Sequence, residues 1–185
     1  MAWLFFKHRT NLLSNSPKKM LHVSPEKQFE KRLKKIPGLD YITADLNKPN
    51  VMVKMDLTNI QFSDNSFDII FCSHVLEHID DDRKAMRELC RVLKPSGWAA
   101  IMVPLRDEKT FEDSSITDST ERKRIFGEAD HVRRYGLDIE EKLKEAGFSV
   151  TVLQLPDVVS GKNIARFGIR NQRVFFCQKI NSIQP

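Results

Sequence analysis

Residues 67–72 read Phe-Asp-Ile-Ile-Phe-Cys, an apolar run interrupted only by Asp68. A run this short and this apolar is the pattern of a strand buried on both faces, as in parallel sheets covered by helices. The chain that follows agrees. Across 80–93, Ala85, Met86, Leu89, Val92 and Leu93 fall on one face of a predicted helix. Lys94-Pro95-Ser96-Gly97 reads as a turn, and Trp98 to Val103 as a second buried strand. Strand, helix and strand with both strands buried dictate an open α/β sheet with helices on both faces. Ligands of such sheets bind beyond the carboxyl ends of the strands. The residues just after each strand are therefore the ones to examine.

The other elements extend the pattern. A short helix is expected over 2–13, a strand over Met20–Val23 and a helix from Ser24, with Pro25 at its first position. Phe29, Leu33 and Ile36 share one face of that helix. Tyr41–Ala44 and Val51–Met55 read as strands closed by Asp45 and Asp56. Residues 104–135 are polar and read as irregular. They hold one helix, Ser119 to Phe126, with Asp118 and Glu121 at capping-box spacing and Gly127 just past its end. A helix over 138–146 and strands over 150–155 and 174–180 complete the series, with a long basic connection over 156–173.

A chain of 185 residues suits one domain. No apolar run approaches the ~20 residues that span a bilayer, so no membrane association is expected. Cys72, Cys90 and Cys177 are widely spaced, without metal-ligand spacing. They read as reduced thiols of a cytoplasmic protein, and no metal is expected. The positive charge is concentrated at the start. Residues 1–36 carry nine Lys or Arg against two Glu, a net +7 within a chain of net +5. No aromatic residues interleave with the Lys-rich stretch as single-strand nucleic-acid binding requires, so it reads as a solvated helix face.

Asp45 and Asp56 each close a strand. An acid there accepts ribose hydroxyls or an adenine amine, although Asp after a strand is also common as a turn former. Residues 67–98 then supply a long gap-free pattern. A strand opening Phe-Asp leads to His74-x-Leu76-Glu77-His78, an acidic helix start, and Glu88-Leu89-x-Arg91-Val92-Leu93-Lys94-Pro95-x-Gly97. Asp-His-Val-Arg-Arg-Tyr-Gly at 130–136 and Glu-Ala-Gly-Phe at 145–148 belong with it. On these motifs the chain resembles class I S-adenosylmethionine-dependent methyltransferases of the type 11 branch, over about residues 19–180. The resemblance implies a doubly wound, mostly parallel seven-stranded sheet whose last strand is antiparallel. It implies a first segment over 1–18, the main domain over 19–180 and a tail over 181–185. It also implies that S-adenosylmethionine or S-adenosylhomocysteine is held by His22, Ser24, Glu26, Asp45, Asp56, Leu57, Ser73 and His74. Asp45 matches the ribose acid, Asp56 and Leu57 the adenine site, and Ser73 and His74 the methyl-donor side. Glu77 and His78 are expected to fix the loop.

Most of the family has Gly-x-Gly after the first strand, whereas His22-Val23-Ser24-Pro25-Glu26 stands there in this chain and the first glycine is Gly38. Only five residues link Asp45 to Val51, so that crossover is expected to be a bare loop. Fuller members of the branch carry a cysteine-rich segment before the first strand, and the expectation is that such a module is missing here. Segment 105–135 is expected to be a lid over the acceptor. In it His131, with His74, would be catalytic, and Arg133, Arg134 and Tyr135 would hold the substrate. His-x-x-Glu-His at 74–78 also fits a zinc-hydrolase signature, but the surrounding apolar helix is lacking. The expected function is methyl transfer to a small-molecule or sugar-like acceptor. The alternatives are a non-catalytic binding or regulatory scaffold and a nucleic-acid methyltransferase. The latter is disfavoured because no Asn/Asp-Pro-Pro-Tyr/Phe follows the fourth strand.

Overall fold

The computed structural model describes residues 2–154 and 173–180. The basic connection up to residue 172 and the tail 181–185 lie outside the described residues. The strands are β1 (Lys18–Val23), β2 (Leu39–Asp45), β3 (Val53–Lys54), β4 (Phe67–Ser73), β5 (Leu93–Met102), β6 (Leu105–Asp107), β7 (Phe111–Glu112), β8 (Arg133–Gly136), β9 (Phe148–Leu153) and β10 (Val174–Lys179). The helices are α1 (Ala2–Arg9), α2 (Lys27–Leu33), α3 (Asp82–Val92), α4 (Ser119–Phe126) and α5 (Ile139–Glu145), with a 3₁₀ turn at Leu76–His78.

Seven strands form one sheet in the order β3-β2-β1-β4-β5-β10-β9. All neighbours are parallel except β10, which runs antiparallel to both β5 and β9. The order reverses between β1 and β4, where two crossovers leave in opposite directions and open a crevice. The FDIIFC run is β4, between β1 and β5, and is buried on both faces. Its one polar residue, Asp68, is partnered. It accepts the Lys19 amide at 2.8 Å and the Lys94 ammonium at 2.9 Å.

Alternation along the central strands divides the core in two. Leu21, Val23, Ile70, Cys72 and Ile101 pack with Ala85, Met86 and Leu89 of α3 and Leu143 of α5. Met20, Tyr41, Ile69, Phe71, Trp98 and Ala100 pack with Leu33 of α2 and with Phe5 and Phe6 of α1. Phe5 and Phe6 are fully buried, each contributing roughly 1.5–3 kcal/mol by leaving water. Residues 2–12 are therefore part of this core.

Four local differences from the sequence expectation have physical causes. The helix expected from Ser24 starts at Lys27 with Glu26 as N-cap. The Ser24 amide instead donates to the Ala44 carbonyl at 2.8 Å, which extends the β1–β2 ladder past the strand end. The strand expected over 51–55 is only Val53–Lys54, and the crossover before it is a helix-free loop. Lys94–Gly97 are taken into β5 as a bulge, because Phe67 pairs with Leu93 while Ile69 pairs with Trp98. A Cβ on Gly97 would come within 2.7 Å of the Asp68 carbonyl, so only glycine fits that approach. The segment expected to be irregular builds a second sheet, β6-β8-β7. Its strands of two to four residues are too short to show alternation.

Candidate functional site

β1 and β4 end side by side, with Val23 opposite Cys72. The residue that leaves each strand end turns into the left-handed region, Ser24 at φ 51° and His74 at φ 53°. Each such turn costs a non-glycine residue roughly 1–2 kcal/mol. Strain of this kind is held where the surrounding structure over-determines it, often at functional sites. Ser24 is tied on every side. The Lys48 ammonium donates to its carbonyl at 3.0 Å, and its hydroxyl serves Asp45. A serine here adopts a backbone conformation that glycine adopts more easily.

Asp45 ends β2. Its Oδ1 accepts the amides of Asn47 at 2.7 Å and Lys48 at 2.6 Å. Burial pushes this carboxyl up, but the two amides, the Ser24 hydroxyl and the Lys48 charge outweigh it and leave it lowered. Asp56 accepts the Thr58 amide and hydroxyl at 2.7 and 2.9 Å, closing a turn at the same edge. The Leu57 side chain is buried in the core. Glu26 reaches the crevice between β1 and β4. Burial raises its carboxyl, but hydrogen bonds from His22 and the Ser73 hydroxyl leave it lowered. Three carboxylates on three successive connections thus face one edge. This donor set suits a ligand carrying a diol and a cationic group.

His22 takes a different place. It is fully buried against Phe71, its Nδ1 lies 2.7 Å from the Tyr41 hydroxyl and its Nε2 lies 2.9 Å from Glu26. With both nitrogens engaged beneath the edge, it positions Glu26 and does not face the crevice. Tyr41, which closes this relay, carries no sequence signal beyond its place on an apolar strand.

Beyond His74 lies a cavity of about 470 Å³ between the 3₁₀ turn and the second sheet. His74, Glu77, His78, Arg106, His131 and Arg134 contribute to its wall. His131 and His74 thus share one pocket on the carboxyl side of the sheet. His74 Nδ1 lies 3.3 Å from Glu77, whose hydrogen bond raises the imidazole pKa above its ordinary value against the opposing effect of burial. Glu77 and His78, expected to fix the loop, both present themselves to this cavity.

Arg133 borders the cavity with its guanidinium already committed, and Tyr135 is closed off from it. Alternation along β8 turns both inward, leaving Arg133 4% exposed and Tyr135 fully buried. The Arg133 guanidinium donates to the carbonyls of Leu76, Ile79 and Asp80 and to Glu112. Tyr135 donates to Asp82 at 2.6 Å, and burial together with the Asp82 charge raises its phenol pKa. These two residues fasten the second sheet to the 3₁₀ turn and α3. Arg134, between them, points outward beside Asp107.

Residues 18–101 match the family described as a methyltransferase domain. The uncharacterized methyltransferase YcgJ of Bacillus subtilis is 33% identical over 102 residues, covering 54% of this chain and 36% of that protein. The chain spans about a third or less of the length of the first curated relatives it matches. Among solved structures, the [4+2]-cyclase SpnF superposes with TM-score 0.67 at 14% identity, covering 96% of this chain and 79% of that one. The 1,6-didemethyltoxoflavin-N1-methyltransferase of Burkholderia thailandensis, solved with 1,6-didemethyltoxoflavin and S-adenosylhomocysteine, superposes with TM-score 0.63 at 15% identity. It covers 90% of this chain and 72% of that one. At these identities the structures speak for the fold alone. Among the described residues, no helix is long and apolar enough to cross a membrane.

Proposed function

We propose that this chain, whose residues 18–101 match the family described as a methyltransferase domain, is an S-adenosylmethionine-dependent methyltransferase acting on a small-molecule or sugar-like acceptor. The observation that carries the reading is the convergence of Glu26, Asp45 and Asp56 on one sheet edge beside Ser73 and His74. When bound, S-adenosylmethionine supplies a sulfonium methyl to a nucleophilic atom of the acceptor. Asp45 binds the ribose hydroxyls and Asp56 with the Leu57 amide binds adenine. Glu26, held ionised by His22 and Ser73, meets the ammonium group. The ties on Ser24 set the loop that faces the cofactor, and Ser73 and His74 flank the donor end. The acceptor occupies the adjoining cavity, whose volume of about 470 Å³ lies in the range of small-ligand sites. There His131 takes a proton from an oxygen or nitrogen nucleophile, and Arg134 holds an anionic group. Three free, buried cysteines support a reducing, cytoplasmic setting.

Calorimetric titration with S-adenosylhomocysteine tests this reading. Micromolar binding is expected, weakened about 10–100-fold in Asp45→Ala by the loss of ~1–3 kcal/mol of hydrogen bonding. No heat and no thermal shift at millimolar ligand would refute it and leave a scaffold that keeps the fold without the cofactor.

A further inference from the structure

Of the side-chain atoms buried without a hydrogen-bond partner at the wall of the cavity beyond His74, Nε of Arg134 has the Asp107 carboxylate beside it, whereas Oε2 of Glu77 and Nδ1 of His131 have no such counter-group. Both side chains are more than nine-tenths buried, Glu77 at 1% exposure and His131 at 8%. An unsatisfied buried carboxylate oxygen costs several kcal/mol at the least, which is why such atoms usually have partners. The nearby cation that would serve, Arg133, is committed to three backbone carbonyls and Glu112. His78 stands next to the pair, its ring 4.7 Å from that of His131 and nearly perpendicular to it. One donor atom each from Glu77, His78 and His131 can be chosen so that all three lie within 4.8 Å of one another.

We propose that Glu77, His78 and His131 form a binding site for one divalent transition cation of the zinc class. Two imidazoles and one carboxylate are the ligand chemistry of zinc sites that keep a fourth position open. Tetrahedral coordination would draw the three donors to about 3.3 Å apart, given metal–ligand distances of about 2.0–2.1 Å. Side-chain rotation supplies this, because His78 is partly exposed and its partner Asp130 is a surface carboxylate that can follow it. Asp130 supports the arrangement from outside, since its carboxylate and its carbonyl each lie 3.3 Å from Nδ1 of His78. The arrangement differs from the hydrolase signature that the sequence mimics. His74, the first histidine of that signature, is set by its left-handed backbone to face Glu77, and the third donor comes from residue 131, over fifty positions later. The open position faces the cavity, where water or an oxygen of a bound molecule completes the shell. The site depends on no methyl donor, but it shares His131 and the cavity with the methyl-transfer reading: with metal bound, His131 is a ligand, and the proton of the acceptor passes to metal-bound hydroxide or water instead.

The test uses the full chain without an affinity tag, stripped with chelator and dialysed against Zn²⁺ or Co²⁺. One equivalent of metal per chain is expected, with the visible absorption of tetrahedral Co²⁺ and a rise in melting temperature. His131→Ala and Glu77→Gln should each weaken binding at least ~100-fold, and Asp130→Asn about tenfold, as removal of an outer partner does. His8→Ala, on the exposed face of α1, should leave binding unchanged. Circular dichroism establishes that each variant is folded, and His78→Ala, at a half-exposed position, serves if the buried variants are not. Stoichiometry well below one in the parent, or equal affinity in His78→Ala, would overturn the proposal. A parallel titration with S-adenosylhomocysteine in chelator separates this outcome from failure of the cofactor site.

Discussion

Replacing Arg133 by Met tests how the second sheet is fastened to the first. Met keeps an unbranched apolar stem of similar length and removes the guanidinium. The lost donors serve the carbonyls of Leu76, Ile79 and Asp80 and the carboxylate of Glu112, and Asp82 loses a cation 3.6 Å away. These losses are unequal. Asp80 and Glu112 are exposed and recover water, whereas Leu76 and Asp82 are buried and do not. Removing one partner of a buried ion pair costs about 3–5 kcal/mol. Lys142, 3.4 Å from Asp82, still offsets part of the charge, so the lower half of that range, about 3–4 kcal/mol, is expected. Total stabilities of about 5–15 kcal/mol mean that the variant still folds. With a urea slope of about 2 kcal/mol/M its midpoint should fall by about 1.5–2 M. Arg134→Met is the internal control. Its guanidinium is about a third exposed beside a more exposed Asp107, and such pairs contribute at most ~1 kcal/mol. Urea melts of parent and both variants, followed by tryptophan fluorescence, decide the matter. Equal midpoint shifts for the two arginines, or a shift below about 0.5 M for Arg133→Met, would refute the assignment of Arg133 as a fastener.

Gly136→Ala should disrupt the same substructure by a different route. A Cβ there would lie 2.5 Å from the Lys109 nitrogen and 2.6 Å from its Cα, and such overpacking costs about 1–3 kcal/mol. Faster amide exchange across β6–β8, with the main sheet unchanged, is the expected signature. Removing the imidazole in His22→Phe should raise the Glu26 titration midpoint, because burial then acts on that carboxyl with less opposition. A carboxyl held low stabilises the fold above its unfolded midpoint and loses that contribution as pH falls through the folded one. The acid limb of a stability–pH curve should therefore move upward in the variant; an unmoved Glu26 carboxyl resonance would contradict the relay. Burial pushes up the thiols of Cys72, Cys90 and Cys177, so none should react with an aromatic disulfide reagent until the protein is unfolded, when all three should. Rapid modification of any of them in the native state would contradict the packing.

The sheet and its edge follow from local rules that the residues carry on their own. The apolar run at 67–72, the stripe on α3 and the glycine after α4 each reflect local rules of burial, periodicity and capping, which neighbouring residues decide. Asp45, Asp56, Ser73 and His74 were legible for the same reason, since a residue directly after a strand of a parallel sheet must lie at its carboxyl edge. Which way a side chain faces within a short irregular segment is not a local property. Arg133, Arg134 and Tyr135 are consecutive and all polar or amphipathic, and only the pairing of β8 with β6 and β7 turns the first and third inward and the second outward. The role of His22 was hidden likewise, because Tyr41 and Glu26 meet it only when β1, β2 and the start of α2 are stacked. The approach of His131 to Glu77 and His78 joins segments more than fifty residues apart. It was decided by the tertiary fold, through the fastening of the second sheet over the 3₁₀ turn.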